Sequence, residues 1–218
     1  MIKPAFGLAL SASANNPASL AKSYGPAHGV RSNHVISQSG AFVGADGSSR
    51  SISTPDDREL LIALRIGVDL LVVDAATARR EKYKLPGSGS KLAIFSKTGM
   101  FHDIPALTDS AGEVYLFGPS TDATIDEAKP VHIRNIELPF EGFSDWAKLR
   151  GFDSILLESG PTLAANAFAA GLVKHSALTI TPTQVGLEQL AGLHPFDGQA
   201  RLTSVAYSQD ATFTYWSH

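Results

Sequence analysis

Two short turns in this chain combine small residues with the start of a helix, an arrangement that can bind anions. Ser159 and Gly160 follow the apolar segment Ile155–Leu157, and Pro161 then takes the first helical position, where a missing N–H costs nothing. A strand that turns into a helix within two small residues leaves free backbone N–H groups above the turn. The stretch is therefore either an anion-binding turn or an ordinary strand–helix connection.

A second turn and a nearby cation extend this chemistry. Ala75, Ala76 and Thr77 separate an apolar segment from a helical one, and Ser96 and Lys97 end the apolar segment KLAIFS. Ligands of open α/β sheets gather at the carboxyl ends of strands, so the two turns together could hold the two phosphates of a dinucleotide. The hydroxyl and the cation suit an additional phosphate, or they are simply a solvated strand end.

Competing catalytic motifs do not fit the sequence. A hydrolase nucleophile at Ser159 would need glycine at positions 157 and 161, which hold Leu157 and Pro161. Gly87 and Gly89 lack the third glycine of a dinucleotide-binding fingerprint and precede a strand. The seven histidines have no metal-ligand spacing and cysteine is absent, so we predict no metal site and no thiolate chemistry. No residue stands out as the catalytic acid or base.

The segments that would position these turns alternate between strand and helix patterns. Strands are predicted at 31–38, 68–73, 91–96, 113–118, 131–138, 155–157 and 175–181. Helices are predicted to begin near Thr54, Ala78, Phe143 and Pro161, and residues 202–216 predict a terminal hairpin. This order indicates an α/β protein with a three-layer α/β/α architecture and a mostly parallel, mixed sheet that ends in a C-terminal antiparallel hairpin.

Length and composition indicate one domain over residues 1–218. No repeat, linker or low-complexity tract divides the chain. Residues 1–30 are rich in Ala, Ser, Asn, Pro and Gly, and we expect an N-terminal extension that lies on the main domain, with a helical turn at Leu20–Tyr24.

The charge and hydropathy of the chain exclude several classes of partner. A formal net charge of −3 offers no positive surface for nucleic acid or for an anionic membrane. No apolar run approaches the roughly 20 residues that span a bilayer. The lack of cysteine fits a cytoplasmic protein.

Four segments, which span roughly residues 20 to 182, resemble the pyrimidine reductase (5-amino-6-(5-phosphoribosylamino)uracil reductase) family of riboflavin biosynthesis. NHVISQSGAFVGADGSSRSIS resembles the family's N-x-V-x-S-L-D-G-x-x-x-x-x-G-x-S segment. TPDDRELLIALRIGVDLLVVDAATARREKY resembles its P-x-D-R helix, strand, G-A-G-T-like turn and T-V-R-A-E. IFSK resembles V-V-S-R, and LLESGPTLAANAFAAGLVKHSALTITP resembles L-x-E-G-G-P-T-L…AGLVDEL…P. The resemblance implies a dihydrofolate-reductase-like fold.

The resemblance also implies NADPH as the cofactor, a pyrimidine substrate and a homodimer. Hydride would pass from nicotinamide to the opened ribose of the aminopyrimidine. The family places the pyrophosphate between two turns that correspond here to Ala75, Ala76 and Thr77, and to Ser159, Gly160, Pro161, Thr162 and Leu163. It places the 2′-phosphate near Ser96 and Lys97, and the substrate near Asn33, Ser37, Ser39 and Gly40.

Two positions depart from the family pattern. Ser39 stands where the family has aspartate in S-L-D-G, so a carboxylate near the reaction centre is gone. Asp74 stands where G-A-G-T begins with a small residue. A carboxylate about 5 Å from a phosphate charge costs on the order of 3 kcal/mol at an effective dielectric near 20, unless it turns away to cap the helix. The D-D-P-x-L-T-x-R segment of bifunctional members has no counterpart.

Three functions remain open at this point. The first is an NADPH-dependent pyrimidine reductase. The second is a catalytically lapsed member that binds a nucleotide or a partner, and the third is a reductase of the same fold that acts on a different carbonyl or pteridine. NADPH oxidation with the aminopyrimidine separates the first from the others.

Overall fold

Strands and helices alternate along most of the chain, as the pattern predicts. The computed structural model describes residues 1–7, 15–87, 89–108, 112–119, 142–183 and 200–218, together with the backbone of 134–136. The strands are β1 (Lys3–Phe6), β2 (Gly29–Ser37), β3 (Leu70–Asp74), β4 (Lys91–Phe95), β5 (Val114–Phe117), β6 (Arg134–Ile136), β7 (Ser154–Leu157), β8 (Val173–Thr181), β9 (Arg201–Tyr207) and β10 (Thr212–Ser217). The helices are α1 (Pro17–Ser23), α2 (Pro55–Leu64), α3 (Ala75–Arg80), α4 (Phe143–Leu149) and α5 (Pro161–Ala169).

Within the described ranges, ten strands form one sheet in the order β1-β9-β10-β8-β2-β7-β3-β4-β5-β6. Every pair from β8 to β6 is parallel, whereas β10, β9 and β1 add an antiparallel edge. The prediction of a mostly parallel, mixed sheet with a C-terminal hairpin is confirmed. β2, β7 and β3 are adjacent at the centre, so the segments that follow them emerge side by side.

Side chains alternate between two apolar cores, one on each face of the sheet. In β3, Leu71 and Val73 join one core, whereas Leu70 and Val72 join the other. The first core also takes residues from α1, α2 and α3, and the second takes residues from α4 and α5. Because both faces of the central strands are covered, these strands read as continuous apolar runs. The three-layer α/β/α prediction is confirmed.

The N-terminal segment differs from the prediction. β1 pairs with β9 although its four residues are all exposed, so no apolar alternation marked it in the sequence. α1 begins at Pro17 and not at Leu20, because Asn16 and Ser19 form a reciprocal capping box that starts the helix earlier. No helix within the described residues combines the length and the apolar character that crossing a membrane requires.

Strand boundaries differ by small amounts. β3 begins at Leu70 and extends to Asp74, two residues later than the predicted start and one later than the predicted end. Of the strand predicted at 131–138, Arg134–Ile136 is observed as β6, and the remaining positions lie outside the described residues. These shifts matter at Asp74, because they place its carboxylate at the junction between β3 and α3.

Candidate functional site

A cleft of about 1030 Å³ opens at the carboxyl ends of β2, β3 and β7. Its floor includes residues 33–35 of β2 and 158–161 after β7, and its walls come from loop 42–53, from α2 and from residues 77–87. This is the edge of the sheet at which the sequence places the ligand site. Of the residues predicted from the family resemblance, five line the cleft: Asn33, Thr77, Ser159, Gly160 and Pro161.

The side chain of Asp74 joins the two turns that were predicted to bind an anion. Asp74 Oδ1 accepts a 2.8 Å hydrogen bond from the backbone N–H of Thr77, and Oδ2 accepts a 2.6 Å bond from the backbone N–H of Gly160. A Cβ atom on Gly160 would lie 3.0 Å from Thr77 Oγ1 and 3.2 Å from Asp74 Oδ2. A larger residue here would press on these two side chains, although the φ of −66° is one that any residue adopts.

This arrangement bears directly on the cofactor. The resemblance implies that the pyrophosphate of NADPH lies between these two segments, and one backbone N–H group from each, those of Thr77 and Gly160, already donates to a carboxylate of the chain itself. Their geometry suits an anion, because both donors converge on one carboxyl group. A diphosphate that bound to these two N–H groups would have to displace the side chain of Asp74.

Two buried acceptors in the cleft have no hydrogen-bond partner. Asn33 and Ser159 are 8% and 5% exposed, and neither Asn33 Oδ1 nor Ser159 Oγ is bonded within the described part of the chain. Buried polar atoms in folded proteins are nearly always hydrogen-bonded, so these two atoms are open to a bond from a bound molecule or from water. A bound molecule that presents N–H or O–H groups to the floor would satisfy both.

His34 is part of this floor. Its Nε2 is 3.1 Å from the carbonyl oxygen of Ser159, and its ring packs edge-on against Phe42. Burial lowers the pKa of His34 to about 4, although the bond to Ser159 and the charge of Asp74 oppose this shift. The imidazole is therefore neutral at neutral pH and donates Nε2–H to the carbonyl. His34 is thus both buried and part of the cleft lining.

Sequence reasoning missed a buried ionic group at the end of β7. Glu158 is 6% exposed and accepts hydrogen bonds from Arg65 Nε at 2.9 Å, from Arg65 Nη2 at 2.5 Å and from the Tyr83 hydroxyl at 2.6 Å. Burial opposes the charge of Arg65, but the bonds and the negative charge of Glu158 outweigh it and raise the pKa of the guanidinium. Burial, and then Glu158, raise the pKa of Tyr83. An acid directly after an apolar strand is the signal that marks this residue.

Cations predominate around the cleft. Six lysine and arginine residues line it, against three aspartate and glutamate residues. Arg50 pairs with Glu81, whose Oε1 also accepts from the hydroxyls of Ser48 and Ser49, so loop 42–53 is fixed to the end of α3. Four of the cations make no ion pair among the described residues: Arg58, Arg80, Lys82 and Lys84.

The other predicted site residues do not line the cleft. Ser37 and Ser39 bond each other at 2.8 Å in the turn after β2, next to Gly40. Ser96 and Lys97 follow the carboxyl end of β4, the strand that pairs with β3 on the side away from β7. The remaining four belong to the two helix starts, where Ala75 and Leu163 are buried and Ala76 and Thr162 are exposed.

Comparison with solved structures shows the fold. A pyrimidine reductase-like protein from Corynebacterium diphtheriae is 20% identical with a TM-score of 0.69, over 93% of this chain and 98% of that one. The riboflavin biosynthesis reductase Rib7 of Saccharomyces cerevisiae is 14% identical with a TM-score of 0.63, over 88% and 90%. Dihydrofolate reductase from Enterococcus faecalis is 9% identical with a TM-score of 0.56, over 86% and 95%. The predicted dihydrofolate-reductase-like fold is confirmed.

Sequence comparison identifies the family to which the chain belongs. A search of curated proteins found no match to this chain. The profile of the RibD C-terminal domain matches residues 29–212, which include every strand from β2 to β9 and the whole cleft. The chain therefore belongs to the RibD C-terminal domain family.

Proposed function

We propose that this protein is a pyrimidine reductase of the riboflavin type. It transfers a hydride from NADPH to the opened ribose of 5-amino-6-(5-phosphoribosylamino)uracil or of a related phosphate-bearing compound, as a cytoplasmic homodimer. The observation that carries this proposal is a cleft, in a RibD-type domain, that combines unpartnered buried acceptors with unpaired cations.

The cleft offers the two kinds of contact that such a substrate needs. We assign Asn33 Oδ1 and Ser159 Oγ, which are buried and have no partner in the described part of the chain, as acceptors for the N–H groups of a pyrimidine. Arg80, Lys82 and Lys84 supply positive charge for the phosphate at the rim. Both features line the same cleft, at the carboxyl ends of the central strands, so one molecule can reach them together.

The protein's contribution to the reaction is mainly orientation. NADPH would supply the hydride, with its 2′-phosphate near Ser96 and Lys97. The floor of the cleft would hold the substrate against water and in register with the donor. His34 does not act as an acid at neutral pH, because its ring is neutral and its N–H is bonded to Ser159.

NADPH consumption with the aminopyrimidine tests the proposal, and Asn33→Leu sharpens it. The substitution removes an unpartnered buried acceptor, so we expect an unchanged or higher melting temperature, together with a KM raised about tenfold. A wild-type protein that consumes no NADPH with this substrate contradicts the proposal. An unchanged KM in Asn33→Leu contradicts the role of Asn33.

A second function is favoured by Asp74 and by the absence of the family's carboxylate at Ser39. A lapsed member would bind the phosphate-bearing molecule in the cleft without transferring hydride to it. Calorimetric binding of the aminopyrimidine, without NADPH consumption in the wild type or in Ser39→Asp, would identify this case.

A further inference from the structure

Asp74 occupies the place between the two turns that an anionic ligand would take. We define the anion cradle as the backbone N–H groups of Thr77 and Gly160, which both donate to the Asp74 carboxylate. We propose that Asp74 is an autoinhibitory residue, an internal anion that competes with the diphosphate of a dinucleotide for this cradle. The inference rests on the proposed function, because it concerns the binding of the cofactor.

The Asp74 carboxylate accepts a hydrogen bond from both N–H groups of the cradle. Each of its two oxygens accepts from a different turn, at 2.8 Å and 2.6 Å, the short range that is typical of charge-assisted hydrogen bonds. α5 has no side-chain cap on its own Gly160, so Asp74 supplies an acceptor from a neighbouring element instead. The contact therefore joins the β3–α3 junction to the start of α5.

A second observation shows that the cradle faces a ligand site. Ser159, the residue before Gly160, is 5% exposed, lines the cleft, and leaves Oγ without a partner within the described residues. Thr77 and Gly160, which carry the two N–H groups of the cradle, line the same cleft, and the enclosed Ser159 hydroxyl beside them has no partner in the described part of the chain. The cradle is thus at the ligand site, and one side chain closes it.

Competition follows from charge as well as from geometry. A diphosphate needs the same donors, and a carboxylate a few ångströms away repels it. Binding therefore requires the side chain of Asp74 to leave both N–H groups, which lowers the affinity for a dinucleotide. Removing the carboxylate should remove this competition and raise the affinity for a dinucleotide. The increase in affinity should be largest for ligands that contain a diphosphate.

Calorimetric titration with NADPH tests the inference. We expect Asp74→Ala to bind NADPH at least about tenfold more tightly than the wild type, and Asp74→Asn to show a smaller gain. In Asp74→Asn, the amide oxygen can still accept from Thr77, so this variant keeps the helix cap if alanine destabilises the protein. Inorganic pyrophosphate should displace NADPH from the Asp74 variants.

Asp69→Ala is the matched control. Asp69 also accepts two backbone N–H bonds, from Asp153 at 2.9 Å and Ser154 at 2.8 Å, but at the amino ends of the strands and outside the cleft. Asp69→Ala removes the same charge and the same number of hydrogen bonds as Asp74→Ala, so the NADPH affinity of Asp69→Ala should equal that of the wild type.

The outcomes separate this inference from the proposed function. Folded Asp74 variants with unchanged or weaker NADPH affinity overturn the inference, even if the wild type reduces the aminopyrimidine. Tighter NADPH binding in Asp74→Ala with no reduction of the aminopyrimidine by any variant supports the inference and contradicts the proposed function. An equal gain in Asp69→Ala assigns the effect to net charge and also overturns the inference.

Discussion

At the scale of single residues, His34 is buried between the carbonyl of Ser159 and the ring of Phe42, and burial holds its pKa near 4. An unfolded histidine has a pKa near 6.5. Between these two values the unfolded chain binds a proton that the folded chain does not. The free energy of unfolding therefore falls as the pH falls, and the floor of the cleft is weakened by acid.

His34→Phe isolates this effect. The contribution of His34 to stability is fully present above pH 6.5 and is lost as the pH falls toward about 4, a change on the order of 3 kcal/mol. His34→Phe cannot take up a proton there, so chemical unfolding at several pH values should show a shallower acid loss than in the wild type. The exposed His102 provides the control, since His102→Phe should follow the wild type. Parallel curves for His34→Phe and the wild type would contradict the assignment.

The site residues show what the sequence can and cannot predict. The Ser159–Gly160 turn was predicted because small residues between an apolar run and a helix start are a local pattern. The turn predicted at Ala75–Thr77 is instead the first turn of α3, because Asp74 caps the helix there. The bond from Gly160 N–H to Asp74 was not predictable, because it joins residues 86 positions apart and depends on the adjacency of β3 and β7. Sequence reasoning allowed Asp74 to cap its own helix, which it does, but could not show that it also reaches α5.

At the scale of elements, one ionic group joins three segments around the cleft. Arg65 caps the end of α2, Tyr83 follows α3, and Glu158 follows β7. The side chains of Arg65 and Tyr83 both donate hydrogen bonds to the Glu158 carboxylate. The carboxylate side chain is 4% exposed, whereas that of Arg65 is 30% exposed. A buried charge of this kind is costly if its partner is removed, so the group fixes the relative positions of these elements.

A double-mutant cycle measures this coupling. Arg65→Met leaves the Glu158 carboxylate with Tyr83 alone, and we expect it to lower the free energy of unfolding by about 3 kcal/mol. Arg65→Met combined with Glu158→Leu should regain at least half of that loss, because no buried charge is left unpaired. Urea unfolding gives both values.

The control for this cycle is an exposed ion pair. Lys91 pairs with Glu113 at 3.4 Å, with side chains 41% and 31% exposed, so Lys91→Met should cost less than about 1 kcal/mol. Additive effects of the Arg65 and Glu158 substitutions would show that the group does not act as a unit.

The elements themselves were predictable where their pattern was local. Apolar runs identified the central strands, and a threonine followed by proline and two acids identified the start of α2, whose cap is Thr54. β1 was missed because its four exposed residues have no periodicity, and only its partner β9 makes it a strand. Local signals thus define the buried centre of the sheet, and long-range pairing defines its edge.

At the scale of the whole molecule, the cleft and the remaining surface carry charge of opposite sign. The chain has a formal net charge of −3, yet six cations and three acids line the cleft. A positive cleft on a negative protein concentrates anionic ligands near its opening, an effect that salt screens over about 10 Å at 0.1 M ionic strength. The net charge of the sequence averages over this local excess and could not predict it.

Binding of ribose 5-phosphate tests whether the local excess matters. Replacing Arg80, Lys82 and Lys84 with glutamine removes three cations that make no ion pair among the described residues. We expect calorimetry to show affinity reduced at least about tenfold at low salt, and a weaker dependence on salt than in the wild type. The control variant replaces three exposed lysines outside the cleft: Lys3, Lys22 and Lys148. It changes the net charge equally, so an equal loss of affinity there would show that the charge of the whole protein, and not the position of these cations, attracts the phosphate.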